Sequence, residues 1–182
     1  MHEFENKAEQ AGKTLICDAA AIQQRVQVLG QEIAAAYRGE DLMLVVVLSG
    51  GFLFAADLCR AIGLDLRIDF IRVASYGSQT ESSGTIQLVQ KPKFSAAGKD
   101  ILLVEDIVDT GTTMRWLVEY FHESGAKSVK ICALIDKHER RKVPVTVDYA
   151  GFAIDQGFLV GYGLDHDERY RNLPAIYSLD VP

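Results

Sequence analysis

The chain has 182 residues, 48% of them hydrophobic and 24% charged, with a formal net charge of −6. That length suits one domain, 1–182, whose core needs no disulfide or metal staple. The acidic balance excludes a general nucleic-acid binder, and the lack of a long apolar run or leader predicts a cytoplasmic protein with no membrane partner.

The first dozen residues are polar and are expected to be loosely ordered. Ile22, Val26, Leu29, Ile33 and Tyr37 recur at three- and four-residue steps, the signature of an amphipathic helix, with Asp18 as N-cap and Gly39 as its stop. Leu42 to Leu48 reads as an apolar strand, Ser49-Gly50-Gly51 as a tight turn and Phe52 to Ile62 as a helix. Leu66 to Val73 is a further strand. Ser75 to Gly84 has almost no apolar content and reads as a flexible excursion, which in a compact domain is usually functional or disordered. Thr85 to Gln90 resumes a strand, and Pro92 and Gly98 punctuate. Ile101 to Val104 is a buried strand, Met114 to His122 a helix and Ser128 to Leu134 another buried strand. Val145 to Tyr149 and Phe158 to Tyr162 complete the set as short strands. The alternation predicts an α/β fold, a parallel sheet with helices on both faces and a small cap from terminal segments.

Several features carry less. Cys17, Cys59 and Cys132 are far apart and outside any Cys-x-x-Cys motif, which predicts reduced, mostly buried thiols. The four histidines have no metal-ligand spacing. Lys137, Arg140, Arg141 and Lys142 form a local basic cluster, with Arg140 to Lys142 read as a solvated turn. Gly12-Lys13-Thr14 ends like a nucleotide loop but has Lys7 at the required glycine. Gly161-x-Gly163 begins like a dinucleotide fingerprint but has His166 at the third position.

The densest chemistry lies at Ile101 to Thr113, Ile-Leu-Leu-Val-Glu-Asp-Ile-Val-Asp-Thr-Gly-Thr-Thr. The strand delivers Glu105, Asp106 and Asp109 at its carboxyl end, where open α/β sheets build ligand sites. The Thr110 to Thr113 turn then aims amides and hydroxyls at an anion from a helix N-terminus. Carboxylates repel a bare phosphate but accept hydrogen bonds from vicinal hydroxyls. The pairing points to a ligand with both a phosphate and sugar hydroxyls, and a divalent metal nearby. Solvated acids followed by a plain helix cap are the blander reading, and acids this dense beside a buried strand count against it.

This segment resembles the 5-phosphoribosyl-1-pyrophosphate (PRPP) signature of the type I phosphoribosyltransferases. The chain more narrowly resembles the hypoxanthine–guanine phosphoribosyltransferases from about Leu42 onward. Leu48-Ser49-Gly50-Gly51, Ser75-Tyr76, Leu134-Ile135-Asp136-Lys137, Phe158-Leu159-Val160-Gly161-Tyr162 and Asp165 through Arg171 follow in the family's order. The fold implied is a type I phosphoribosyltransferase-like parallel sheet with helices on both faces and a small hood from terminal segments.

On that resemblance, Asp109, Thr110, Gly111, Thr112 and Thr113 cradle the 5-phosphate. Glu105 and Asp106 bind the ribose hydroxyls and, directly or through water, Mg²⁺. Asp109 is also the general acid/base near purine N7; a loop cap for Thr112 or Thr113 is its other reading, and the two can coexist. Ser49, Gly50 and Gly51 form a pyrophosphate loop opened by a non-proline cis peptide. Ser49 departs from the Lys or Arg of many relatives, which leaves amides without a side-chain cation. Arg171 is a second pyrophosphate-binding residue, and Asp165 a Mg²⁺ ligand. Phe158 stacks on the purine with Ile107 on the other face. Lys137 donates to the exocyclic O6, favouring hypoxanthine and guanine over adenine. Carbonyls around Leu159 and Asp165 accept from a guanine amino group. Ser75-Tyr76 opens a mobile loop that closes over the reaction centre, with a plain solvent loop as the alternative. The resemblance implies a Mg²⁺-dependent purine salvage enzyme, a homodimer or homotetramer. A non-catalytic PRPP-binding transcriptional regulator on the same fold is the competing reading; Asp109, Lys137 and the acidic charge disfavour it.

Overall fold

The computed structural model describes residues 12–78 and 81–180, with side-chain surroundings described outside 75–85. The chain runs β1 (Lys13–Cys17), α1 (Ala19–Ala36), β2 (Leu42–Leu48), α2 (Phe52–Ile62), β3 (Arg67–Ser78), β4 (Glu81–Gln90), β5 (Asp100–Val108), α3 (Thr112–Glu123), β6 (Ser128–Asp136), β7 (Tyr149–Ala153), β8 (Phe158–Val160) and β9 (Ile176–Leu179). A six-stranded sheet has the order β4-β3-β2-β5-β6-β7. It is parallel except for β4, which pairs antiparallel with β3 at the edge. A separate antiparallel sheet, β1-β9-β8, forms the hood from the terminal segments.

β2 lies in the middle of the large sheet because its side chains are apolar on both faces, as a parallel sheet covered on both sides requires. Leu42, Leu44 and Val46, with Leu102 and Val104 of β5, pack on Ile22, Val26, Leu29 and Ile33 of α1 and Phe54 and Leu58 of α2. Met43, Val45 and Val47, with Ile101 and Leu103, pack on Met114, Leu117 and Phe121 of α3. Each such side chain contributes about 1.5–3 kcal/mol on burial. The Asp18 carboxylate caps α1 by accepting from the Ala21 amide at 2.7 Å, as its position predicts.

The expectation for the polar first dozen residues lies, apart from Gly12, outside the described ones. Three other expectations change. Strands replace the excursion expected from Ser75: β3 reaches Ser78, β4 begins at Glu81, and ladder pairs such as Tyr76 with Thr85 satisfy the backbone without apolar side chains. The strand expected over Val145 to Tyr149 starts only at Tyr149. Pro144 has no amide to donate, and the Asp148 carboxylate takes the Ile131 amide at 2.9 Å, where a backbone carbonyl would stand. Of the three free cysteines only Cys132 is buried; Cys17, at the end of β1, and Cys59, within α2, are part-exposed. No helix among the described residues is long and apolar enough to cross a membrane.

Candidate active site

β2 and β5 are neighbours from which the chain departs in opposite directions, toward β3 and toward β6. Open α/β sheets bind ligands at such a switch point, outside the carboxyl ends of the strands. The two loops leaving that point are Ser49–Gly51 and Asp109–Gly111.

In the first loop the Leu48–Ser49 peptide is cis. Gly51 caps α2 without a side-chain acceptor, and its amide donates to the Val47 carbonyl at 3.2 Å. Of the two glycine amides expected to face a pyrophosphate, that of Gly51 is therefore already engaged. A Cβ on Gly50 would overlap the Asp106 carboxylate, so only glycine lets this loop lie against the acidic pair.

In the second loop Gly111, at φ +80, caps α3 without a side-chain hydrogen bond of its own; the Thr112 amide donates to Thr110 Oγ1 at 3.4 Å, and the next amides stand at the positive end of the helix. A Cβ on Gly111 would stand 2.8 Å from the Val143 carbonyl oxygen and 3.0 Å from Arg141 Cδ. Asp109, Thr110, Gly111 and Thr113 line a cleft of about 140 Å³ with Glu105 and Ile107. Asp109 caps neither Thr112 nor Thr113: its Oδ1 is buried with no hydrogen-bond partner among the described residues. Its Oδ2 stands 3.6 Å from the exposed Arg140 guanidinium. A buried acceptor without a donor costs about 1–3 kcal/mol, so this oxygen is prepared for a partner from outside the protein.

Glu105 and Asp106 are both buried at the end of β5. Asp106 Oδ1 accepts from the Ile107 amide at 2.8 Å, and Glu105 Oε1 from the Asp106 amide at 3.1 Å. Burial, then the charge of Asp106 and a hydrogen bond to it, push the Glu105 carboxyl well above the usual range. Burial likewise raises Asp106, opposed by the Glu105 hydrogen bond, a backbone amide and the positive charge of Arg171. The folded protein thus holds the Glu105 proton to higher pH than the unfolded chain, whose carboxyl titrates near 4.5. The stability linked to this group is complete below that pH and is lost as pH rises through the folded value. Glu105→Gln should therefore raise the melting temperature of the ligand-free protein at pH 8 by roughly 2–4 °C, the shift that ~1 kcal/mol produces at this size. PRPP-dependent turnover should fall in the same variant. Thermal scans at pH 5 and pH 8 test this, and an unchanged or lower melting temperature at pH 8 would count against the charge-burial account.

Arg171 reaches the same place from the hood side. Its guanidinium donates to the Gly163 carbonyl at 2.7 Å and pairs with Asp165 and Glu168, each at 2.9 Å. Asp165 also accepts from the Glu168 amide. Glu105, Asp106 and Asp165, the expected Mg²⁺ trio, are thus not gathered into a protein-only cage. No group of three His, Cys, Asp or Glu side chains among the described residues could hold a metal by itself. Gly163, at φ +104, lies on the Gly50 carbonyl, so hood and pyrophosphate loop touch backbone to backbone.

The expected base-binding residues are divided between sheet and hood. Lys137 follows β6; it is buried, its ammonium donating to the Gly157 carbonyl at 2.7 Å and standing 3.4 Å from Glu139. Phe158 is 40% exposed at the start of β8, and the His166 ring meets it edge-on, centroids 5.1 Å apart. The Leu159 side chain is turned into the core beside Ile107, which leaves only its backbone for a ligand. The hood is tied to α2 by the Tyr162 hydroxyl, which donates to Asp57. Ser75 and Tyr76 lie on β3, and their side chains are outside the described surroundings.

His166, whose nearness in sequence to the acidic segment at Asp165 suggests a place close to the site, packs on Phe158 there. Sequence reasoning missed one neighbour. Arg141, expected in a solvated turn, has a side chain only 14% exposed and donates to the carbonyls of Val108, Asp109 and Lys137. Arg140 and Lys142 beside it are exposed, as expected.

Two loops and an acidic pair at the switch point of a parallel sheet, under an antiparallel hood, define a class: the chain belongs to the phosphoribosyl transferase domain family, whose profile matches residues 15–167. The relatives narrow this to the hypoxanthine-guanine phosphoribosyltransferases. One such protein from Mycobacterium avium is 42% identical over 174 residues, covering 92% of this chain and 86% of the relative. One from Bacillus subtilis is 44% identical over 155 residues, covering 85% and 86%. A crystal structure of a hypoxanthine-guanine phosphoribosyltransferase from Bacillus anthracis superposes with a TM-score of 0.85 at 43% identity, covering 91% of this chain and 96% of that one.

Proposed function

We propose that this chain transfers the 5-phosphoribosyl group of PRPP to hypoxanthine or guanine, giving the nucleoside monophosphate and pyrophosphate. The observation that carries this reading is the buried Oδ1 of Asp109, without a partner among the described residues, beside the N-terminus of α3. A phosphate cradle alone would serve a sensor equally well. A carboxylate oxygen held ready for a donor next to that cradle serves proton transfer.

In this reading the amides and hydroxyls of Thr110 to Thr113 hold the 5-phosphate, and Glu105 and Asp106 take the ribose hydroxyls. A base nitrogen forms the bond to the anomeric carbon while the bond from that carbon to pyrophosphate breaks, its electron pair leaving with pyrophosphate. The proton of the base passes to Asp109. Arg171 and the Gly50 amide face the departing charge. Phe158 and Ile107 sandwich the purine, the backbones of Leu159 and Asp165 accept from a guanine amino group, and Ser75 and Tyr76 close over the centre. Lys137 has three ammonium donors, so it can keep the Gly157 carbonyl and still donate to O6.

The donor set fits Mg²⁺: all-oxygen, with one or two carboxylates offered by the protein and the remaining positions left to substrate oxygens and water. Glu105, Asp106 and Asp165 are the residues that would hold it. When bound it would supply neutralisation of the phosphate charge. The absence of paired cysteines among the described residues supports a cytoplasmic setting, and the family supports a homodimer or homotetramer.

Steady-state assays with PRPP and Mg²⁺ test the reading. The protein should consume hypoxanthine or guanine and leave adenine. Lys137→Ala should erode that discrimination by about 1–3 kcal/mol, with PRPP affinity unchanged. Binding of PRPP without turnover of any base would sink the enzymatic reading, and selectivity untouched in Lys137→Ala would sink the pocket assignment.

A further inference from the structure

The Arg141 guanidinium lies within hydrogen-bond reach of five acceptors, three of which share the two N–H groups of Nη2. Nε reaches the Asp109 carbonyl at 2.9 Å, and Nη1 the Val145 carbonyl at 3.3 Å. Nη2 reaches the Val108 and Lys137 carbonyls, each at 3.0 Å, and Asp136 Oδ1 at 2.5 Å. The acceptors belong to three separate stretches of chain: the end of β5 entering the Asp109 loop, the end of β6 carrying Lys137, and the irregular segment after Pro144.

The surroundings make this a fixed joint. The Lys137 amide donates to the Val108 carbonyl at 3.0 Å, and the Lys142 and Val143 amides donate to the Thr110 carbonyl at 2.9 and 3.3 Å. Arg141 Cδ also lies against the position a Gly111 Cβ would occupy. The segment from His138 to Val145 therefore runs as a strap beneath the Asp109–Gly111 loop, with the guanidinium at its centre. Asp136 balances the charge, and His138 Nε2 stands 3.1 Å from the other Asp136 oxygen. Only a planar fork of five N–H groups can serve acceptors spread this way, since an ammonium presents three donors from one point.

We propose that Arg141 is a positioning residue for the reaction. By joining the Asp109 and Lys137 carbonyls through one rigid group, it fixes the distance between the proton acceptor and the O6 donor. The proposal rests on the reading of Asp109 and Lys137 given above. It differs from a plain stability role in one respect: Arg141 acts on the rate through Asp109, so the effects of the two residues overlap. Misplacement by about 1 Å is enough to cost on the order of 10²-fold in rate.

The test is a double-mutant cycle of Arg141→Lys and Asp109→Asn, read in kcat, base KM and PRPP affinity. Arg141→Lys should lower kcat by roughly tenfold or more in the native background and less than about twofold when Asp109 is already Asn. Asp136→Asn, which keeps Arg141 but loosens its hold, should lower kcat in the same direction. Added guanidinium should restore part of the rate of Arg141→Ala, a response that a purely structural defect does not give. PRPP titration fixes the fraction of folded sites, so poor folding of one variant is not mistaken for slow chemistry. Equal losses from Arg141→Lys in both backgrounds, or native kcat in Arg141→Lys and Asp136→Asn, would overturn the proposal. Turnover by the unsubstituted protein is the separate control: its absence overturns the reaction itself, while its presence with an unaffected Arg141 variant removes only the positioning role.

Discussion

Asp109→Asn should lower kcat by about 10²-fold or more while leaving PRPP affinity nearly unchanged, because general acid–base effects are of that size. The substitution keeps the shape of the side chain, its distance from Arg140 and the backbone that Arg141 braces. It removes the ability to take a proton. In the proposed reading the 5-phosphate is held by Thr110 to Thr113 and the start of α3, so the ground-state complex should form as before. Titration calorimetry of PRPP beside steady-state kinetics separates the two effects. A kcat within about threefold of the native value would remove Asp109 from the proton transfer.

Gly163→Ala should damage both the fold and the candidate site. At φ +104 an L side chain is strained wherever it stands, and the new methyl would also run into the Gly50 carbonyl oxygen. Neither obstacle is the end of a flexible side chain: one is the residue's own backbone and the other belongs to the pyrophosphate loop. The two together should cost roughly 3 kcal/mol, or about 6–12 °C in melting temperature at this chain length. Because relief requires Gly50 to move, the KM for PRPP should rise in the same variant. A thermal scan and a PRPP titration check both parts. A melting temperature within about 2 °C of native would mean that the hood is not seated on this loop.

The acidic loop is legible in the amino-acid sequence because its signal is contiguous. Ile101 to Val104, the acids at 105, 106 and 109 and the glycine at 111 lie in one stretch, and a buried strand running into a helix can deliver them in only one way. The same holds for α1, whose Asp18 cap and apolar spacing are local properties. Arg141 has no such signal. It is one of four cations from Lys137 to Lys142, and nothing within that window distinguishes it from the exposed Arg140 and Lys142 beside it. His166 beside Phe158 and Tyr162 on Asp57 are likewise contacts between distant segments.

The failures share a cause. The strand expected at Val145 is displaced because Asp148, a side chain, supplies the acceptor for the Ile131 amide. The segment after Ser75 joins a strand ladder because a partner strand is present, although its composition resembles that of a loop. Terminal strands β1 and β9 pair with each other across nearly the whole chain, Lys13 opposite Leu179, and periodicity within either is too short to announce it.

By itself the sequence determined the alternation of strand and helix, the two glycine turns and the chemical types gathered at Glu105 to Thr113. Those follow from side-chain period, backbone freedom and ionisation, all properties of residues near one another in the chain. The tertiary structure alone decided which Asp109 oxygen is left without a donor among the described residues, that burial pushes the Glu105 carboxyl upward, and that Gly163 rests on Gly50. Those depend on desolvation and on steric fit between segments distant in the chain, where burial strengthens every charge and removes every spare ångström.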